Sequence, residues 1–247
     1  VFIMSQLLER TLIVMPAFNE ETSVGNVVRE VREKLPGVAC LVVNDGSTDR
    51  TSAAARDAGA LVANLPYNMG VGGAMRLGFQ YARENGFGAV VQIDADGQHD
   101  PASVPLMLEA LESCDLVIGA RFSGSGSYQV RGPRRWAMGV LSSILSRISR
   151  VPLKDTTSGF KANGPRAIEL FARDFPAEYL GDTVEALVIA SRAGLRIRQI
   201  PVAMRARAGG QPSHDSIKSA VYLARAMVAL VVALVRPRKP SDETVVV

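Results

Sequence analysis

Two carboxylates separated by a single residue stand at the end of an apolar run, in Val90-Val91-Gln92-Ile93-Asp94-Ala95-Asp96-Gly97-Gln98-His99-Asp100-Pro101. The Val- and Ile-rich residues read as a buried strand, which Gly97 and Pro101 stop. Side chains alternate along an extended strand, so Asp94 and Asp96 emerge on one side at its carboxyl end. Like charges this close repel, and burying them unpaired is costly or raises a pKa. A hard divalent cation, Mg²⁺ or Mn²⁺, removes the conflict, with substrate phosphate filling its remaining positions. The alternative is a turn whose carboxylates only cap a following helix.

The elements that must position these residues follow from the chain before them. Thr11 to Met15 is a short apolar run closed by Pro16, and Pro16-Ala17-Phe18-Asn19-Glu20-Glu21 is the loop at its end. A helix follows in which Val24, Val27, Val28 and Val31 recur at helical spacing, capped by Thr22 or Ser23 and ended by Pro36-Gly37. Val38 to Val43 predicts a second strand, running straight into Asn44-Asp45-Gly46-Ser47-Thr48-Asp49 and the alanine-rich helix Thr51 to Ala58. Gly59 to Ala63 predicts a third, shorter strand. Asn68-Met69-Gly70-Val71-Gly72-Gly73-Ala74 then opens a helix carrying Leu77, Phe79, Tyr81 and Ala82, and the fourth strand is the one that ends at Asp94. Strand, polar loop and helix in repetition argue for a parallel sheet with right-handed crossovers. Ligands bind such sheets at the carboxyl ends of the strands. The unusual loops at Asn19-Glu20, Asn44 to Ser47 and Asp94 to Asp96 all fall at that edge. The segment Gly70 to Gly73 lacks both the ending of a P-loop and the spacing of a dinucleotide fingerprint. Its glycines read as a tight loop-to-helix turn, with closure of a nucleotide pocket as the other reading.

Composition bounds the rest. The 247 residues, 47% hydrophobic and 21% charged, suit a globular chain with a substantial core. A net charge of +4, with neither aromatic interleaving nor a recognition helix, favours phosphorylated ligands or an anionic membrane over nucleic acid. Cys40 and Cys114 lie in or beside apolar runs and read as buried free thiols of a reducing compartment. A charged leader, apolar core and small-residue cleavage site are not found, so no secretory signal is expected.

In this order the motifs Val14-Met15-Pro16-Ala17-Phe18-Asn19-Glu20-Glu21, Val43-Asn44-Asp45-Gly46-Ser47-Thr48-Asp49, Asn68-Met69-Gly70 and Asp94-Ala95-Asp96-Gly97-Gln98-His99 resemble those of family-2 glycosyltransferases with the GT-A fold. Asp155-Thr156-Thr157-Ser158-Gly159-Phe160-Lys161 points to the branch similar to dolichol-phosphate mannosyltransferase and bacterial polyprenyl-phosphate sugar synthases. The resemblance spans roughly residues 11 to 210. It implies an α/β, Rossmann-like, mainly parallel sheet flanked by helices. By its match, Pro16, Ala17, Glu20 and Asp45 hold base and ribose, where a carboxylate accepts from base N–H and ribose hydroxyl groups. Asn19, Ser47, Asn68, Gly70 and Asp94 complete the donor site. Asp94, Asp96 and Gln98 match the metal-binding triplet for Mg²⁺ or Mn²⁺, and His99 reads as a neighbour of that loop.

Asp115 to Arg121 predicts another strand, followed by the flexible composition Ser123-Gly124-Ser125-Gly126-Ser127 and a helix from about Trp136 to Arg147. In the resembling enzymes, arginines at the places of Arg121, Arg131, Arg134 and Arg135 face the donor diphosphate and acceptor phosphate, which the planar guanidinium fork suits. A solvated or lipid-facing basic surface is the other reading. Beyond a helix over Arg166 to Phe171, Asp182 and Glu185 stand where many inverting relatives hold a catalytic base. A phosphate acceptor is already an anion and needs only alignment and charge screening. Asp182 is therefore expected to orient acceptor or sugar, and Asp155 to belong to an active-site loop; both are otherwise helix caps or arginine partners. After a last strand, Leu195 to Met204, the resemblance places Arg205, Arg207 and His214 in a loop covering the donor phosphates.

Ala220 to Val235 is nearly all apolar, flanked by Lys218 and by Arg236-Pro237-Arg238-Lys239. Its sixteen residues fall short of the roughly twenty that span a bilayer, and Arg225 interrupts them. It reads as a helix partly immersed in an anionic membrane surface, or as a core or dimer helix. The expected domains are an N-terminal extension (1–10), the GT-A domain (11–210), an apolar membrane- or partner-associating helix (211–240) and a tail (241–247). The expected activity is inverting transfer from a nucleotide sugar (GDP-mannose or a UDP-hexose or UDP-N-acetylhexosamine) to a polyprenyl phosphate. The enzyme would sit in the cytoplasm at the inner face of the cell membrane, directly or through a small membrane-protein partner, with a homo-oligomer left open. The alternatives are a family-2 glycosyltransferase with a soluble or polysaccharide acceptor and a non-catalytic nucleotide-sugar-binding protein.

Overall fold

In the computed structural model the described residues are 2–121, 133–153, 155–156, 158–176 and 182–205. Their frame is one sheet of seven strands: β1 (Thr11–Ala17), β2 (Ala39–Asn44), β3 (Leu61–Asn64), β4 (Ala89–Gln92), β5 (Leu116–Arg121), β6 (Lys161–Asn163) and β7 (Ile197–Val202). Their order is β3-β2-β1-β4-β6-β5-β7. Every neighbouring pair runs parallel except those made by β6, which is antiparallel to both β4 and β5. The helices are α1 (Phe2–Glu9), α2 (Val24–Lys34), α3 (Thr51–Asp57), α4 (Gly70–Glu84), α5 (Val104–Ala110), α6 (Pro133–Ser149), α7 (Pro165–Asp174) and α8 (Asp182–Arg192).

Burial follows from the period-two alternation of the central strands. On β1, Leu12 and Val14 join one apolar layer with Phe79 of α4, Leu145 of α6, Phe171 of α7 and Leu187 of α8. Ile13 and Met15 join the opposite layer with Leu8 of α1, Val28 of α2, Ala55 of α3 and Met107 of α5. Covered on both faces, β1 is buried at all seven positions, as a parallel strand between two helical layers must be. The mainly parallel α/β architecture expected from the sequence is the one observed. Residues 2–9, expected as an extension, form α1, which buries Leu8 and receives on its Leu7 carbonyl a 2.7 Å hydrogen bond from Thr11 Oγ1.

Strand β6 is the element that hydrophobic pattern did not announce. Lys161-Ala162-Asn163 carries a charge and an amide, yet all three residues are buried. Being antiparallel, β6 begins at the edge where β4 ends, with Lys161 opposite Gln92 and Ile118. That reversal brings Ser158-Gly159-Phe160 to the carboxyl edge of the parallel strands.

At the other edge Asp115, ahead of β5, accepts from the Arg196 backbone N–H (2.7 Å) and from Arg166 Nη1 (3.0 Å), tying α7 and β7 to β5. Both cysteines are buried free thiols, and burial pushes Cys40 up to about 12.

The Phe79, Phe171 and Phe175 rings lie 5.1–5.2 Å apart between α4 and α7. Phe171→Ala removes one member of this mutually packed trio and leaves a cavity. The expected loss is about 3–5 kcal/mol, read from urea unfolding at unchanged m-value.

Candidate active site

The strand order reverses between β1 and β4, because β2 lies to one side of β1 while β4 lies to the other. A crevice opens outside the carboxyl ends of strands at such a switch point. The loop after β1, the loop after β2 and the loop after β4 meet there.

Side chains stitch the first two loops together. Asn19 sits at φ 55°, a left-handed conformation that Asn tolerates. Its N–H donates to Ser47 Oγ (2.9 Å), and its Oδ1 accepts from the Thr48 N–H (3.0 Å). The Glu20 N–H donates to Thr51 Oγ1 (2.8 Å), and Glu20 Oε2 accepts from Ser23 Oγ (2.6 Å). Pro16 and Ala17 close β1 in register with Val43 and Asn44 of β2. Gly46 is required on two grounds: its φ is 70°, and a Cβ there would lie 2.6 Å from the Tyr67 carbonyl carbon.

Asp45 is buried, and its carboxylate accepts from the N–H groups of Met69 (2.6 Å) and Gly70 (2.8 Å) at the start of α4. Asn68 Oδ1 also accepts from the Gly70 N–H (3.1 Å). These bonds satisfy donors that α4 leaves open at its first turn. Burial raises the Asp45 carboxyl, and the two N–H bonds only partly offset it. The residues expected to hold a nucleotide are therefore together at one edge, and Asp45 also fixes the glycine-rich turn into α4.

The carboxylate pair lies on the loop that follows β4. Asp94 is 37% exposed at its side chain, whereas Asp96 is buried. Asp96 Oδ1 accepts from the Gln98 N–H (3.0 Å), and Oδ2 from Gln98 Nε2 (2.8 Å), so Asp96 and Gln98 hold each other in place. Asp94 Oδ1 accepts from Gln92 Nε2 (3.1 Å), and its N–H donates to His99 Nδ1 (3.1 Å). A Cβ on Gly159 would stand 3.2 Å from Asp94 Oδ2 and 3.0 Å from Gln92 Nε2, so any larger residue would press that carboxylate out of its place by a few tenths of an ångström. No group of three or more His, Cys, Asp and Glu side chains poised to hold a metal occurs among the described residues. Two carboxylates and an amide, all offering oxygen, nevertheless fit a hard divalent ion completed by phosphate oxygens.

Other expected residues fall differently. The Arg205 guanidinium, expected against donor phosphate, is committed to carboxylates: Nη1 lies 2.8 Å from Glu30 Oε1 and Nη2 2.7 Å from Asp100 Oδ1. Lys34 joins the same two acids at 2.8 and 2.9 Å. The reason is backbone pairing: the Arg205 N–H donates to the Gln98 carbonyl and Met204 bridges His99, which carries Arg205 alongside the Asp94–Gln98 loop. Asp155 is pinned by its backbone, whose carbonyl accepts from Gln199 Nε2 of β7 (2.7 Å). Glu185 is buried on α8. Arg121 ends β5 opposite Val202. The side chains of Arg121, Arg134, Arg135 and Asp182 lie outside the described residues, as do Arg131, Arg207, His214 and the run 220–235. Gln92, Thr51 and Phe160 are neighbours of the site that sequence reasoning missed. Gln92 alone leaves a signal there, as the one polar residue inside the apolar run Val90 to Ile93.

The family model described as glycosyl transferase family 2 matches residues 12–171. An undecaprenyl-phosphate mannosyltransferase of Micrococcus luteus is 32% identical over 211 residues, covering 82% of this chain and 86% of that one. A polyprenol monophosphomannose synthase of Mycolicibacterium smegmatis is 31% identical over 169 residues, covering 65% of this chain and 64% of its own length. Among solved structures, glucosyl-3-phosphoglycerate synthase from Mycobacterium tuberculosis, in complex with Mn²⁺, UDP and phosphoglyceric acid, superposes with a TM-score of 0.71. That match has 23% identity and covers 95% of this chain and 84% of the other, a likeness of fold.

The charge network beside the metal loop has a pH signature. Partial burial alone would raise Asp100, but hydrogen bonds from Lys34, the Ala102 N–H and Arg205 outweigh it and hold the carboxyl at about 2, against an ordinary 3.8. Glu30 is likewise lowered: burial opposes, and hydrogen bonds from Lys34 and Arg205 prevail. A depressed folded-state pKa contributes stability above the unfolded value and loses it as pH falls through the folded one. Melting temperature should therefore drop more steeply for the parent than for Asp100→Asn between pH 4 and pH 2. Because the network is partly solvated, the difference is on the order of 1 kcal/mol.

Proposed function

The chain belongs to glycosyl transferase family 2, and on that premise we propose that it transfers a sugar, with inversion, from a nucleotide diphosphate sugar to a polyprenyl phosphate. The observation that carries this reading is the meeting at one sheet edge of the Asp94-Asp96-Gln98 loop with the two polar loops after β1 and β2. Its lipid acceptor is supported by relatives named for undecaprenyl phosphate and polyprenol.

An acceptor phosphate oxygen attacks the anomeric carbon. The bond from that carbon to the donor's β-phosphate oxygen breaks, and its electron pair leaves with the nucleoside diphosphate. No proton need be removed, because the acceptor is already an anion near neutral pH, so alignment and charge screening do the work. Pro16, Ala17, Asn19, Glu20, Asp45, Ser47, Asn68 and Gly70 hold the nucleotide. Arg121 and Arg135 meet the phosphates of donor and acceptor, Asp182 orients acceptor or sugar, and Asp155 belongs to the loop beside them. Asp94, Asp96 and Gln98 would hold Mg²⁺ or Mn²⁺, which would supply positive charge to stabilise the departing diphosphate.

The acceptor places the work at a membrane surface, the inner face of the cell membrane. No helix among the described residues is long and apolar enough to cross a membrane. We assign the contact to residues 220–235 and their basic flanks, immersed directly or seated on a small membrane protein.

With labelled GDP-mannose, UDP-glucose and UDP-N-acetylglucosamine offered in turn with Mn²⁺ and undecaprenyl phosphate, one label should move into the organic phase. Transfer only to a water-soluble acceptor would overturn the lipid reading. Asp96→Ala should lower transfer about a hundredfold or more with far-UV circular dichroism unchanged; full activity would remove the metal assignment. Deleting 220–235 should release the protein from anionic liposomes, and unchanged co-sedimentation would move the contact elsewhere.

A further inference from the structure

Donor and acceptor binding leave two neighbours of the site unused. The segment Ser158-Gly159-Phe160 is given no role in the mechanism proposed above, and neither is His99. We propose that together they form a platform that presets the Asp94 carboxylate for the metal, with His99 as its positioning residue. The inference rests on the metal assignment made above.

His99 is 5% exposed, and its ring lies on that of Phe160 with centroids 4.7 Å apart and planes 10° from parallel. Its Nδ1 accepts from the Asp94 N–H (3.1 Å), so in the neutral ring the proton resides on Nε2. Nε2 stands 3.7 Å from Asp94 Oδ2, beyond hydrogen-bond distance, with its N–H dipole beside the carboxylate. Gln92 holds the other oxygen, Oδ1, from inside β4. Gly159 faces the same carboxylate so closely that a Cβ there would stand 3.2 Å from Oδ2 and 3.4 Å from Oδ1.

Phe160 is itself fixed. Its carbonyl accepts from the Gly119 N–H (2.9 Å), its N–H donates to Ser158 Oγ (3.3 Å), and that hydroxyl donates to the Gly119 carbonyl (2.6 Å). The platform is thus bolted to β5, one strand beyond β6, while Asp94 belongs to the end of β4. Asp94 is held at its backbone, at one oxygen by an amide and on its remaining side by ring and glycine. A group that leaves its outward face 37% exposed while constraining every other side is arranged to present a ligand. Partners that orient a metal ligand typically affect metal affinity by about 10–100-fold.

The test is Mn²⁺ binding to the full chain, followed by the electron paramagnetic resonance of free Mn²⁺ and so independent of turnover. His99→Phe keeps the ring stacked on Phe160 and removes both nitrogens. It should bind Mn²⁺ about 10–100-fold more weakly, whereas His99→Asn, which restores an acceptor for the Asp94 N–H, should recover part of the loss. Gly159→Ala, which crowds Asp94 and Gln92 Nε2, should weaken binding in the same direction. Circular dichroism identifies any variant that fails to fold, and the remaining variants then decide. Affinities within twofold of the parent in the folded variants would overturn the platform and leave the transferase reading intact. A parent that takes up no Mn²⁺, either alone or with GDP or UDP present, would overturn the metal assignment and the platform with it. A parent that binds Mn²⁺ but forms no lipid-linked product would count only against the acceptor.

Discussion

Parallel strands buried on both faces must all end at the same edge, and there the chain has to satisfy polar groups that the sheet no longer pairs. Most of the site is the solution to that constraint. Asn19 and Ser47 join the first two loops, Thr51 takes the Glu20 N–H, Asp45 takes the first donors of α4, and His99 takes the Asp94 N–H. Each unmade bond of this kind in a buried place would cost about 1–3 kcal/mol. The loops after β1 and β2 are therefore held before any ligand arrives, which reduces the ordering cost that binding would otherwise carry.

The same edge collects charge of one sign. Asp94, Asp96 and Asp100 lie within seven residues, and the structure treats them in three ways. Asp100 is neutralised by Lys34 and Arg205 and caps the turn after it. Asp96 is buried against Gln98. Asp94 stays partly exposed, with an amide and a neighbouring imidazole beside it.

The placement of Arg205 shows how backbone pairing overrules residue type. An arginine in a basic stretch suits phosphate, but pairing of Met204 with His99 sets Arg205 between Glu30 of α2 and Asp100. Glu30 is far away in sequence, and no local pattern announces the meeting. Strand β6 behaves in the same way. Lys161-Ala162-Asn163 has no strand pattern of its own, and it lies between β4 and β5, paired with both.

By itself the sequence determined the alternation of strands and helices, the parallel connections among β1 to β4, and the clustering of the Asn19, Asp45 and Asp94 loops at one edge. These are local matters: periodicity marks each element, and right-handed crossovers leave the loops no other edge to occupy. It also singled out Asp94 and Asp96, since crowded carboxylates at a strand end state their chemistry in sequence. Only the tertiary structure decided what surrounds that pair: Gln92 and Gly159 against Asp94, Phe160 beneath His99, and Arg205 held away by two acids. Those contacts join residues from different strands, and their geometry comes from sheet order and from one antiparallel reversal. The paired aspartates were legible; the surroundings that aim the first of them exist only in the fold.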